Sequence, residues 1–250
     1  MTQSTEASVG RPMFEMVPVP TRGRTFVRTR TVSLGDVNPY GRIRLDGLAR
    51  VIQDIATADA ADALSGSAYA YVLRRLVLSI NQTPRIGERL TLTTFCGGTA
   101  RSWAERRTSV VGDRGAVVET SGIWVPIDSA GRPSRLPDDF LAAYAEAAGG
   151  RRVEARLSHG RAPESAVAAR WPLRYTDLDT LGHVNNAAHW CAVEACLVGR
   201  QVVHAEIEFV GGLLLDEPCT VLTVDRTDGV DSWLCAEGHV RSSQRVWLRM

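Results

Sequence analysis

The residues most able to do chemistry lie together between positions 177 and 186. This segment reads Asp-Leu-Asp-Thr-Leu-Gly-His-Val-Asn-Asn, which combines carboxylates, an imidazole and amides. Asp179 and His183 are four residues apart, and a turn at Gly182 would bring them together. A carboxylate paired with an imidazole can orient a water molecule or accept its proton. The spacing therefore predicts an acid–base pair in a loop, where a rigid scaffold often holds functional side chains.

A helix predicted to begin at Asn186 would supply the second part of this chemistry. The first backbone N–H groups of a helix lack intrahelical partners and carry the positive end of the helix dipole. An ester or thioester carbonyl that points at this end would find an oxyanion hole. We therefore place Asp179, His183 and Asn185 in a catalytic group that hydrolyses an activated acyl group, and Asn186 and Leu181 beside its substrate.

The chain contains this pattern twice. Residues 36–45 match residues 177–186 at an offset of 141, so that each segment has an aspartate followed five residues later by a glycine. At the same offset Gln53 corresponds to Glu194. The first segment has no imidazole, which predicts that only the second copy is catalytic. A polar residue at one helix position in both copies indicates a cleft, so Glu194 joins the catalytic group and Gln53 the substrate-binding group.

Each copy has the same predicted order of elements: a strand, the Asp/Gly loop, a helix and an antiparallel meander. The helices are expected over residues 45–64 and 186–200, and the first has an apolar stripe that includes Leu45, Leu48 and Ile52. These three side chains are also candidates for the wall of an acyl-binding tunnel. The predicted strands are Phe26–Val32, Leu76–Ile80, Arg89–Cys96, Ser102–Val111, Ala116–Ile127, Trp171–Tyr175, Val203–Phe209, Cys219–Asp225, Ser232–Glu237 and Arg245–Arg249.

This layout is α+β, and each sheet is predicted to wrap around its own helix, with the two copies side by side. We divide the chain into a flexible N-terminal tail (1–24), an N-terminal module (25–128), a linker (129–169) and a C-terminal module (170–250). A short helix is expected in the linker at Asp138–Ala148. Because one chain holds both modules, we expect either a monomer that acts as an internal pseudo-dimer or a homodimer.

Composition argues against several classes of protein. The chain has 250 residues and a net charge of +1, so no nucleic-acid partner is expected. All 29 basic residues are arginine, which removes lysine as a Schiff base or general base. Five cysteines without a CxxC motif make a metal site or disulfides improbable. No apolar run suits a membrane span or a signal peptide, so we expect a cytoplasmic protein.

The segment at residues 177–186 resembles the DLDxNGHVNN region of the acyl–acyl-carrier-protein (acyl-ACP) thioesterases. Residues 53–56 are similar to the Q-D-x-A helix of that family, residues 84–90 to its P-x-x-G-E-x-[LV] turn, and residues 124–128 to its W-[VA]-x-[IL]-D strand end. The resemblance covers about residues 26–250. It implies a tandem double hotdog fold, in which each half is a long helix wrapped by an antiparallel β-sheet. It also implies that fatty acyl-ACP thioesters are hydrolysed to free acids by Asp179 and His183, with ACP as partner and no metal or cofactor.

The chain departs from this family at two places. Leu181 replaces an asparagine two residues before the histidine, and Gly212-Leu213 replaces a polar Glu-Cys pair of the plant branch. Two other functions stay open, an acyl-CoA thioesterase and a non-catalytic acyl-binding or regulatory hotdog protein. A hotdog enoyl hydratase is disfavoured, because Gly41 stands where its D-x-N-P-x-H loop needs histidine. Asp179 as a general base and Asp179 as a nucleophile are both open.

Overall fold

The computed structural model describes residues 14–64 and 70–249. Strands and helices alternate in blocks, which confirms the predicted α+β class. In chain order the elements are β1 (Thr25–Thr31), α1 (Leu45–Ala63), β2 (Ala70–Gln82), β3 (Arg89–Thr99), β4 (Ala104–Gly112), β5 (Val117–Ile127), α2 (Asp138–Ala148), β6 (Val167–Arg170), α3 (Trp190–Leu197), β7 (Val202–Phe209), β8 (Cys219–Arg226), β9 (Gly229–Ala236) and β10 (His239–Leu248).

The strands form one antiparallel sheet rather than the two separate sheets that the sequence predicts. Their order is β1-β3-β4-β5-β2-β7-β10-β9-β8-β6, so the first five strands and the last five have the same internal arrangement. The halves join where β2 pairs with β7, from Arg75 opposite Glu208 to Ser79 opposite His204. Without this pairing β2 and β7 would each expose a row of unpaired N–H and C=O groups. Joining the half-sheets through β2 and β7 removes these two exposed edges.

The helices α1 and α3 pack on one face of this sheet and against each other. The predicted apolar stripe of α1 is confirmed, since Leu45, Leu48 and Ile52 are all buried. Leu48 shares a core with Trp190 of α3 and with Ile207 of β7, so this core spans both halves. Full burial of such a side chain contributes about 1.5–3 kcal/mol, and this shared core therefore holds the two halves together.

Two elements of the second copy differ from the prediction. The strand expected at Trp171–Tyr175 is wrong: the strand is β6, and Tyr175–Asp177 forms a 3₁₀ turn. The backbone N–H of Trp171 still donates to Cys219 O, but Pro172 has no N–H with which to extend the ladder.

The helix predicted over residues 186–200 is also shorter than expected. Before α3 the chain makes a tight turn, in which the N–H of Trp190 donates to Ala187 O three residues earlier. After Leu197 it leaves the helix through two residues with positive φ, Val198 (39°) and Gly199 (79°).

The tail and the linker are held against the body of the protein. Helix α2 has the predicted bounds, and the rest of the linker crosses the sheet face opposite α1. Trp103 Nε1 donates to Val153 O and Trp233 Nε1 to Gly160 O, both at 2.9 Å. Residues 1–13 of the predicted tail lie outside the described residues, whereas Glu15 O accepts a 2.6 Å hydrogen bond from Arg107.

A buried ionic cluster fixes the end of α1 to the sheet and to α2. Asp59 of α1 accepts hydrogen bonds from Arg24 Nε (2.7 Å), Arg106 Nη1 (2.5 Å) and the Tyr144 hydroxyl (2.8 Å). The carboxylate is fully buried, whereas Asp62, which also binds Arg24, has an exposed side chain.

We expect Asp59→Asn to destabilise the protein strongly, because the substitution leaves the buried Arg106 without its counter-ion. Breaking a buried pair in this way costs about 3–5 kcal/mol. The matched control Asp62→Asn removes an exposed partner and should cost at most about 1 kcal/mol. Urea unfolding gives both free energies, and equal losses in the two variants would contradict the importance of the cluster.

Candidate active site

The loop that carries Asp179 and His183 is closed by the aspartate itself. Asp179 Oδ1 accepts hydrogen bonds from the backbone N–H of Leu181 (2.8 Å) and of His183 (3.2 Å). The Asp179 N–H in turn donates to His183 O at 2.8 Å. The two predicted residues are thus joined through the backbone of His183. Within residues 14–64 and 70–249, both of these hydrogen bonds go to Oδ1, and Asp179 Oδ2 accepts none.

The first copy builds the same loop with an amide in place of the carboxylate. Asn38 Oδ1 accepts from the backbone N–H of Tyr40 (3.0 Å) and of Arg42 (3.2 Å), and the Asn38 N–H donates to Arg42 O. The loop therefore needs a side-chain oxygen at this position but no charge. The negative charge of Asp179 is not required to shape the loop.

The outer side of the second loop is open to solvent. The His183 side chain is exposed, and its ring lies beside Gly212, where an added Cβ would be 3.5 Å from His183 Cδ2. Gly212-Leu213, the departure noted in the sequence, thus leaves space next to the imidazole. Leu181, predicted to touch substrate, is 69% exposed.

The two asparagines that follow have different surroundings. Asn185 Oδ1 accepts a 2.8 Å hydrogen bond from the backbone N–H of Ala187, so its side chain caps the turn before α3. Asn186 lines a cavity. The predicted catalytic residue Asn185 therefore shapes the backbone, whereas Asn186 contacts the interior.

Two adjoining cavities run between α1 and the N-terminal half of the sheet. The first, of about 20 Å³, is lined by Ile52 and Gln53 of α1 together with Asn186. The second, of about 360 Å³, extends along α1 as far as Leu64, where Phe140 and Tyr144 of α2 line it. Residues that line both are Ala56, Arg106 and Trp124. The walls are mainly apolar, as in most small-molecule pockets. We call the two adjoining cavities together the channel.

The structure places Glu194 beside the first loop, at the beginning of α1. Glu194 Oε2 accepts a 3.0 Å hydrogen bond from the backbone N–H of Leu45, the first residue of α1. Burial raises the pKa of Glu194, and the Leu45 N–H partly offsets this rise. Leu45, Leu48 and Glu194 line a different cavity of about 20 Å³, so the two leucines do not line the channel.

The hydrogen bond from the Leu45 N–H to Glu194 joins the two halves of the chain. Glu194 of α3 caps α1 at Leu45. At the offset of 141, Gln53 corresponds to Glu194 and Asn186 corresponds to Leu45. Gln53 and Asn186 line one cavity. Each helix thus presents a polar side chain at the beginning of the other copy's helical segment. The matching of Gln53 with Glu194 was the available signal, but it required knowing that α1 and α3 pack together.

His189 belongs to the core and not to the loop. It is 2% exposed, and its Nδ1 shares a 2.9 Å hydrogen bond with Ser242 Oγ. Burial lowers the pKa of His189 to about 4. The imidazole is therefore neutral in the folded protein at neutral pH.

Metal binding, membrane insertion and disulfide formation find no support in the described part of the chain. Within residues 14–64 and 70–249, no group of His, Cys, Asp and Glu has an arrangement that would hold a metal ion. None of the helices in this part of the chain combines the length and apolarity needed to span a membrane. All five cysteines are free thiols.

We expect Glu194→Ala to lower the free energy of unfolding by about 1 kcal/mol, the usual cost of losing a helix N-terminal cap. Glu194→Gln should retain most of this stability, because its amide oxygen can accept the same hydrogen bond. Urea unfolding of the two variants checks the assignment. A loss of equal size in both would show that charge, and not capping, is what Glu194 provides.

His189 predicts a pH dependence of stability. Between its ordinary pKa of 6.5 and about 4, the unfolded chain binds a proton that the folded protein does not. The free energy of unfolding therefore falls as pH is lowered through this window, by up to about 1.4 kcal/mol per pH unit from this residue. His189→Gln should flatten that part of the curve. A difference between wild type and variant that stays constant with pH would contradict this assignment.

Part of the chain matches a known protein family, and most of it aligns with two curated proteins. Residues 23–144 match the acyl-ACP thioesterase N-terminal domain. Two uncharacterized proteins of Mycobacterium tuberculosis, from strains CDC 1551 and H37Rv, are each 25% identical over 234 residues, which cover 91% of this chain and 94% of theirs.

Solved structures match almost the whole chain. A Lactobacillus plantarum protein given as a possible oleoyl thioesterase has a TM-score of 0.78 at 16% identity and covers 93% of this chain and 99% of its own. The 12:0-ACP thioesterase of Umbellularia californica has a TM-score of 0.75 at 17% identity, with coverages of 94% and 99%. An acyl-ACP thioesterase of Bacteroides thetaiotaomicron has a TM-score of 0.76 at 16% identity, with coverages of 90% and 98%. Residues 23–144 are therefore similar to the acyl-ACP thioesterase N-terminal domain, and the chain has the fold of these solved thioesterase structures.

Proposed function

We propose that this protein hydrolyses fatty acyl-ACP thioesters to free fatty acid and carrier thiol. The observation that carries the proposal is the channel beside α1, which begins at Asn186, three residues after His183, and widens to about 360 Å³. An apolar channel next to a loop with a carboxylate and an imidazole suits an acyl chain with its reactive carbonyl at the entrance. The match of residues 23–144 to the acyl-ACP thioesterase N-terminal domain supports ACP as the carrier.

We further propose that the fold is a tandem double hotdog and that the monomer acts as a pseudo-dimer. The identical strand order of the two half-sheets supports this description. So does the loop geometry, since Asn38 and Asp179 each accept hydrogen bonds from the backbone two and four residues later. The pairing of β2 with β7 then takes the place of contacts between separate subunits.

The oxyanion hole in this proposal is the backbone N–H of Asn186. Its counterpart, the Leu45 N–H, already binds a carboxylate oxygen of Glu194. A negatively charged oxygen therefore suits this type of turn, and at Asn186 the thioester oxygen would take that place beside Gln53. One such donor typically lowers the barrier to acyl transfer by ~2.7–4 kcal/mol.

Asp179 and His183 then activate water. The free oxygen Asp179 Oδ2, assisted by the His183 ring, accepts a proton as the water oxygen attacks the carbonyl carbon and the C=O electron pair moves onto the oxyanion. When the tetrahedral intermediate collapses, the C–S bond breaks and the proton returns to the departing thiolate. Leu181, which is exposed on the same loop, would contact the carrier arm of the thioester.

A non-catalytic acyl-binding role is the second candidate. The observation that favours it is the position of the acid–base pair: Asp179 Oδ1 is bound to backbone, the His183 ring is exposed, and neither residue lines the channel. Hydrolysis of acyl-CoA thioesters is an alternative that uses the same chemistry, and rates with ACP and CoA thioesters of one acyl chain separate the two carriers.

We expect Asp179→Asn to lower kcat for thiol release by about 10²–10⁴-fold, the usual contribution of a general base. The variant should fold normally, because Asn38 makes the same loop bonds as an amide. Asn38→Asp is the matched control and should leave kcat unchanged. Equal rates for wild type and Asp179→Asn, both near the uncatalysed rate, would favour the acyl-binding role.

A further inference from the structure

The small cavity beside Asn186 contains two buried polar atoms without a partner. Trp190 of α3 and Thr120 of β5 both line this cavity and are 0% and 1% exposed. Neither Trp190 Nε1 nor Thr120 Oγ1 has a hydrogen-bond partner in residues 14–64 and 70–249. Buried polar groups in proteins are almost always hydrogen-bonded. Two unpaired groups that line one cavity therefore indicate a site for a polar atom of a ligand.

The chemistry of the two groups defines that atom. The indole N–H of Trp190 can only donate, whereas the Thr120 hydroxyl can donate or accept. An oxygen with two lone pairs, as in a ketone or an alcohol, satisfies both. A cavity of about 20 Å³ is large enough for one such group. Thr108 lines the same cavity but its hydroxyl already donates to Thr94 Oγ1 at 3.1 Å, so it does not compete for the oxygen.

The position of the cavity defines where this oxygen lies on the substrate. One side of the cavity is Asn186 and Gln53, where we place the thioester carbonyl, and the other leads past Ala56 into the larger cavity. Trp190 and Thr120 line the small cavity together with Asn186, and neither lines the larger cavity. An oxygen that they bind is therefore carried by a carbon close to the thioester and not by the distal part of the chain.

We propose that Trp190 and Thr120 bind an oxygen on the third carbon of the acyl group, so that the preferred substrates are 3-oxoacyl or 3-hydroxyacyl thioesters. This inference rests on the proposed thioester hydrolysis. An unsubstituted chain would leave both groups unpaired in an apolar channel. Condensation of two acyl thioesters yields a 3-oxoacyl thioester, and this class of reaction, with or without a following reduction, would supply the substrate.

The test compares kcat/KM for ACP thioesters of one chain length in unsubstituted, 3-oxo and 3-hydroxy forms. We expect at least about a tenfold preference for an oxygenated form, because a site built to bind an oxygen discriminates against a chain that lacks it. Thr120→Val and Trp190→Phe should each reduce this preference about tenfold. Ser109→Ala, the matched control, removes a hydroxyl that is already paired with Glu119 and lies outside both cavities, so the preference should stay unchanged.

Each result of this comparison either supports or overturns the proposed oxygen site. If wild type hydrolyses the unsubstituted thioester equally well, or if Thr120→Val and Trp190→Phe keep the wild-type preference, the two groups bind water only and the proposal is overturned. If no thioester is hydrolysed, the proposed function fails, and the Tm shift with free 3-hydroxy and unsubstituted fatty acids tests the oxygen site alone. A larger shift with the 3-hydroxy acid that Thr120→Val abolishes supports the site, and equal or absent shifts overturn it.

Discussion

The pairing of β2 with β7 is the constraint on which the rest of the molecule depends. Five residue pairs, from Arg75 with Glu208 to Ser79 with His204, make one sheet of two half-sheets. Directly over this junction α1 and α3 pack against each other, and Leu76 and Ile207 contribute to the same core. Because the helices meet here, a side chain of one can reach the first turn of the other. The cap that Glu194 places on α1 follows from this geometry.

The two loops make corresponding backbone hydrogen bonds but differ in their contacts with the other half. The first loop contacts the second half, since Arg42 Nη1 donates to Gly199 O at 2.8 Å and the Tyr40 ring lies where a Cβ on Gly199 would be. In the second copy the corresponding side chains, Leu181 and His183, are exposed. One loop thus serves as a structural contact between the halves, and the other is accessible to a ligand from solvent.

Much of this architecture was predictable from local patterns, and the parts that were not depend on contacts between distant residues. The apolar stripe fixed α1, the repeat gave the order of elements, and α2 was predicted at its observed bounds. Pro172 was visible in the sequence as a break in the predicted strand at Trp171–Tyr175, but β6 is a short strand of exposed residues with no alternation to mark it.

The residues of the candidate site also differ in whether the sequence could predict them. Asp179 and His183 could be singled out because their residue types are adjacent in sequence. The role of Glu194 and the unpaired polar groups of Thr120 and Trp190 could not be predicted from the sequence, because each depends on how α3 lies against α1. The alternation of polar residues along β4 and β5 predicts which face of the sheet they occupy. It does not predict which of them will lack a hydrogen-bond partner.

The unequal length of the two helices has a consequence for the interior. At the offset of 141, the last residue of α3, Leu197, corresponds to Ala56, whereas α1 continues to Ala63, seven residues or about two turns further. The larger cavity is lined by Ala56, Thr57, Ala60 and Ala61 of α1 and by Leu64, which follows the helix directly. The depth of the hydrophobic compartment is thus created by an extension of one member of a duplicated pair. Insertions or deletions of whole turns at this terminus offer a route by which related proteins can change capacity without altering the sheet or either loop.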